Sequence, residues 1–149
     1  MLLSAIDVIV EKSSSFGSNW SATTFNFLYQ FLKYSIVESN MDRPVLMLNL
    51  NRYFNSVSFP DGELYKSYMD VLSKLLESLG GKILWQMPSY GQPLGGEKLH
   101  EIMAIWYPSH KAFLSLRKMP LSEKNFKLQS MCVVHAVFHR CSGNLFLDK

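Results

Sequence analysis

Cys132, His135, His139 and Cys141 follow a C-x2-H-x3-H-x-C spacing late in the chain, and these are the residue types that hold zinc. Four tetrahedral ligands cannot converge from one short strand or helix, because an extended chain separates His135 from His139 by ~13 Å. They are expected to serve the core and a strand edge, and no metal is implied. His135 by itself is suited to carry a proton inside a cavity. Arg52 offers a planar fork that matches a carboxylate. His135 and Arg52 are therefore the catalytic candidates. Asn49 and Asn51 supply amides that could orient a carbonyl or phenolic group in an apolar pocket, and Trp85, Tyr90 and Trp106 supply flat faces for a planar ligand. All five are candidate ligand-binding residues. Each also has a plainer use: amides bond nearby backbone, strand-end arginines join surface ion pairs, and strand aromatics fill cores. The run from Gly91 to Lys98 (GQPLGGEK) brushes against a phosphate-loop pattern, but the Lys-Ser/Thr ending is missing and a strand follows. No helix N-terminus then meets a phosphate, and no cofactor is implied. Ser89 stands in no nucleophile elbow.

These residues need a scaffold. Val45 to Tyr53 (VLMLNLNRY) is an apolar run with its polar members in the second half, as in a strand buried on both faces. Its period-2 split sets Leu46, Leu48 and Leu50 against Met47, Asn49 and Asn51, and the all-leucine side is expected to meet the helices, which would point the asparagines into a cavity. Leu64, Tyr68, Val71, Leu72, Leu75, Leu76 and Leu79 form a helical stripe that ends at Gly80-Gly81. Lys82 to Met87 and Glu101 to Tyr107 read as two further strands around a Gly/Pro-rich connection. Pro108 stops the third strand, Ser109 can cap a helix carrying Ala112, Phe113 and Leu116, and Met119-Pro120 closes it. Phe126, Leu128 and Met131 fit a short helical turn, and a fourth strand is expected from about Val133 to Arg140.

The chain of 149 residues, 48% hydrophobic, can bury a real core. Its 15 basic and 12 acidic residues are scattered without a like-charge block, so neither nucleic acid nor an anionic membrane surface is implied as a partner. Two cysteines are too few for a disulfide framework, and Met1 to Val10 lacks the basic n-region of an export signal, so a cytoplasmic setting is expected. The apolar stretch Phe25 to Val37 is interrupted by Gln30 and Lys33 and falls short of the ~20 residues of a membrane span. It reads instead as a helix capped at Ser21. Residues 1–42 are thus expected to form an N-terminal helical extension and residues 43–149 the main domain.

Strand-helix-strand-strand-helix-strand is the split β-α-β pattern, so the expected fold is α+β, a ferredoxin-like β-α-β-β-α-β sheet with both helices on one face. Ile83, Trp85, Met87, Ile102, Trp106 and Val137 leave the other face apolar in any register, which predicts a partner surface, most simply a second copy. Met47-Leu48-Asn49-Leu50-Asn51-Arg52-Tyr53, then Tyr65 and Tyr68, then Gly80-Gly81-Lys82-Ile83-Leu84-Trp85, then Trp106-Tyr107-Pro108-Ser109-His110-Lys111-Ala112-Phe113-Leu114 resemble four ordered motifs of one bacterial family of unknown function. Those motifs read roughly MLNLLRF, YxxY, GGRVLW and RYPSRAAFL. That family sits in the dimeric α+β barrel superfamily, and the resemblance implies a homodimer whose two sheets enclose a central cavity. It implies no particular activity. Asn51 replaces the usual leucine and His110 the usual arginine.

The function expected from these readings is a homodimer binding a small, partly apolar metabolite, as a cofactorless isomerase or oxygenase; the alternative is a non-catalytic dimerisation or ligand-binding module. The aromatic faces of the lead-in need cover, by the main domain or across the dimer. Deleting Met1 to Asn40 should then lower solubility, measured as the soluble fraction after expression. A truncated protein that behaves identically would make the lead-in a dispensable arm.

Overall fold

The computed structural model describes residues 42–143, all within one of the chain's two compact units, residues 36–149. The readings made for the lead-in at residues 1–41 lie outside the described residues. Strand β1 (Val45–Tyr53) leads through a 3-10 turn (Asn55–Val57) to helix α1 (Glu63–Ser78). Strands β2 (Lys82–Pro88) and β3 (Glu101–Tyr107) follow. A short helix α2 (His110–Ser115), a 3-10 turn (Leu116–Lys118) and helix α3 (Ser122–Cys132) lead to strand β4 (Val133–Ser142). The sheet order is β2-β3-β1-β4, and β1 runs antiparallel to both of its neighbours. Two crossovers that each skip one strand produce this order, with the helices on one side. The fold is ferredoxin-like.

Helix α1 forms because its apolar residues recur at helical spacing: Tyr65, Tyr68, Val71, Leu72, Leu75 and Leu76 are all buried. It stops where the sequence supplies glycine. Gly80 has φ +69°, its N–H donates to Glu77 O, and the Gly81 N–H reaches back to Leu76 O at 2.9 Å, a Schellman closure. At α2 the hydroxyl of Ser109 accepts from the Ala112 N–H at 3.0 Å, as its position before the helix predicts.

Three expectations are corrected. First, the two sides of β1 are inverted. Val45, Met47 and Tyr53 join Met103, Ile105 and Tyr107 of β3 and Tyr65, Tyr68, Leu72 and Leu76 of α1 in one core, so the odd-numbered side carrying Asn49 and Asn51 faces the helices. Leu46, Leu48 and Leu50 lie on the other side. Second, α3 is a full helix of 11 residues where only a short turn was expected. Its inward stripe is Ser122, Asn125, Gln129 and Cys132, a helical spacing built from small and polar residues that an apolar pattern does not reveal. Third, a bulge between Ile83 and Trp85 lets Ile83 face the helices while Trp85 and Met87 face away.

Leu76 is completely buried where α1 meets the sheet. Leu76→Ala should cost ~2–5 kcal/mol, read from the urea midpoint at constant m-value. A loss below ~1 kcal/mol would contradict this packing.

Candidate functional site

The two sides of the sheet carry different chemistry. On the helix side, the carboxylate of Glu101 sits at 2% exposure, at the start of β3 and opposite Asn51. The Tyr53 hydroxyl donates to its Oε2 and the Tyr65 hydroxyl to its Oε1. The Asn51 amide donates to the Tyr53 oxygen at 3.3 Å. One strand and one helix thus supply the donors that a buried carboxylate requires. Phe59 stacks on Tyr53 at 5.1 Å between ring centroids and meets Tyr65 edge-on at 4.9 Å. The His100 imidazole accepts the Tyr53 N–H through Nδ1 at 3.0 Å, so in the neutral ring Nε2 bears the proton. An open pocket of about 250 Å³ at this end is lined by Phe54, Asn55, Ser58, Phe59 and His100.

Burial raises the Tyr53 and Tyr65 phenols far above their ordinary value of 10, and the Glu101 carboxylate raises them further. Burial does the same to Tyr68 and Tyr107. In all four the proton is held because a phenolate would lose its water, and at Glu101 it would also face a second anion.

On the opposite side the strands align in rows. Met87, Ile102, Leu50 and Val137 form one row across the four strands, and Trp85, Ala104, Leu48 and His139 the next. In the third, Lys82 lies with its Nζ 5.8 Å from the Trp106 ring centre, beside Leu46 and Cys141. At the far corner Arg52 of β1 stands directly across from His135 of β4, where a register shift between Arg52 and Tyr53 marks a bulge. Bulges re-aim side chains and are common beside functional sites.

Of the residues singled out by sequence, Arg52 and His135 are brought together, and Trp85 and Trp106 share the same open side. Asn49 and Asn51 are turned away from it: Asn51 belongs to the Glu101 cluster, and Asn49 is buried on the helix side with its Oδ1 lacking a hydrogen-bond partner. Tyr90 lies in the β2–β3 connection, 98% exposed. Cys132 closes α3 in the core and its thiol donates to Leu64 O at 3.7 Å, while His135, His139 and Cys141 lie along β4. Among the described residues no three His, Cys, Asp or Glu side chains gather as a metal site. His100 and Glu101 escaped sequence reading because a single acid at a strand start carries no motif; the polar His100-Glu101 step before an apolar strand was the available signal.

No protein-family model and no curated protein matches the chain. Among solved structures, it is similar to a protein of unknown function from Rhodopseudomonas palustris. That match has 26% identity, covers 74% of this chain and 91% of that one, and has a TM-score of 0.60. The methylated form of that protein matches at 26% identity with a TM-score of 0.62, over 74% and 88% of the two chains. A dimeric protein of unknown function and ferredoxin-like fold from Bacteroides fragilis matches at 14% identity and TM-score 0.43, over 66% and 95%. No described helix is long and apolar enough to cross a membrane.

The phenol shifts fix the sign of a pH dependence. A group whose folded value lies above its unfolded value stabilises the fold fully below the unfolded value of 10, and that stability drains away as pH climbs above it. Tyr53, Tyr65, Tyr68 and Tyr107 should therefore ionise only as the chain unfolds above pH ~10, with the rise in absorbance at 295 nm coinciding with loss of far-UV circular dichroism. Ionisation of all four near pH 10 in a chain that stays folded would contradict the burial described.

Proposed function

We propose that the domain works as a homodimer whose two open sheet sides meet around a cavity for a small, partly apolar metabolite. The observation that carries this is the open side itself. Leu48, Leu50 and Ile102 on it are half-buried and Leu46 and Ala104 are buried, so its exposed apolar surface is concentrated at the β2 edge, with Trp85 at 38% and Met87 at 52% exposure. Neighbouring exposed apolar side chains of this size mark interaction sites. The resemblance to dimeric α+β barrels supports the same arrangement.

Chemistry, on this reading, belongs to the open side. The Glu101 cluster is closed, its phenols keep their protons, and its atoms are taken up by one another. Of the two histidines on the open side, His135 and His139, it is His135, beside Arg52, on which the cofactorless isomerase or oxygenase reading rests. The rival reading, a dimerisation module without a ligand, draws on the same apolar rows meeting with no space between them.

Light scattering on the full chain tests the pairing. The wild type should be a dimer at micromolar concentration, and Leu48→Asp, on the outward side of β1, should be a folded monomer with an unchanged far-UV spectrum. Met47→Asp, one residue away on the core side, should unfold the domain. A wild-type monomer under these conditions would contradict the proposal.

A further inference from the structure

The Arg52–His135 corner holds two buried hydrogen-bonding nitrogens with nothing to bond. Arg52 Nε and His135 Nε2 are each buried and make no hydrogen bond, although leaving such groups unmet costs a fold stability. The two side chains are cross-strand neighbours and project to the same side of the sheet. One carboxylate already leans toward His135: Glu97 Oε2, from the β2–β3 connection, stands 3.7 Å from His135 Nε2, within ion-pair range and too far for a hydrogen bond. The Glu97 side chain is 60% exposed, so displacing it into water is cheap. The row next to the corner is Val137, Leu50, Ile102 and Met87, which is apolar throughout.

We infer that this corner is a carboxylate site for a small acid with an apolar or aromatic body: Arg52 Nε and the Nε2–H of His135 each take one carboxylate oxygen, and the body lies along the Leu50–Ile102–Met87 row. The arginine fork suits a planar two-oxygen anion, and an apolar row beside it rejects small hydrated anions in favour of a greasy acid. Glu97 is the internal occupant that the ligand replaces. This inference deepens the proposed function by naming the ligand class, and it rests on that reading only for what covers the site.

Benzoate is the probe, with benzamide as its neutral counterpart, each titrated into the full chain by calorimetry while light scattering follows the assembly state. Benzoate should bind and benzamide should not. Arg52→Gln and His135→Gln should each weaken benzoate about tenfold or more, the loss of one charge-assisted hydrogen bond. Glu97→Gln should tighten it, because the internal competitor has lost its charge, and a merely structural role for the corner predicts no such gain. If Arg52→Gln fails to fold, Glu97→Gln decides alone: tighter binding supports the site and unchanged binding overturns it. A wild-type dimer that ignores benzoate overturns the carboxylate site and leaves the pairing intact. A monomer that binds benzoate with the expected variant pattern upholds the site and overturns the pairing.

Discussion

A carboxylate shut away from water must be met by donors, and at Glu101 those donors are the phenols of Tyr53 and Tyr65. This bond joins the two central strands to α1 and decides which way β1 lies. With Tyr53 and Asn51 committed to Glu101, alternation along the strand sends Asn49, Met47 and Val45 to the helix side. A one-residue slip would bury Arg52 beneath the helices and take the Tyr53 phenol away from Glu101. A buried arginine without a partner and a buried acid short of one donor both oppose that alternative, whatever leucines it would place in the core.

The consequence appears on the opposite side. Leu46, Leu48 and Leu50 are turned outward by a polar interaction they take no part in, and they line up with Trp106, Ala104 and Ile102 of β3, beyond which Trp85 and Met87 of β2 extend the rows. The domain thus has a helix side closed around the Glu101 cluster, and a sheet side that is apolar except at Lys82, along β4 and at the Arg52–His135 corner. The proposed pairing and ligand recognition both fall on the second side.

The element order was legible in the sequence because α1 and the strands announce themselves by period and by their stop signals, Gly80-Gly81 and Pro108. The orientation of β1 was not, since leucines and asparagines alternate equally well whichever side faces the helices. The deciding residue, Glu101, lies 48 positions beyond Tyr53 and acts through that tyrosine's hydroxyl. Helix α3 hid for a related reason: Ser122, Asn125 and Gln129 look like surface residues until α1, with Tyr68 bonded to Gln129, is placed beside them. Arg52 and His135 were recognised one at a time as candidates, but their adjacency depends on the β1–β4 register and its bulge, which no local pattern encodes. Trp85 and Trp106 were legible as strand aromatics because tryptophan at alternating positions has few other uses.

Hydroxyl-radical footprinting of the full chain across a dilution series tests the orientation of β1 and the covering of its outward side together. The account predicts that Met47 and Met103 resist oxidation at every concentration, while Trp85, Met87 and Trp106 become protected as concentration rises through the micromolar range. Protection of those three residues that does not change with concentration, or ready oxidation of Met47, would contradict it.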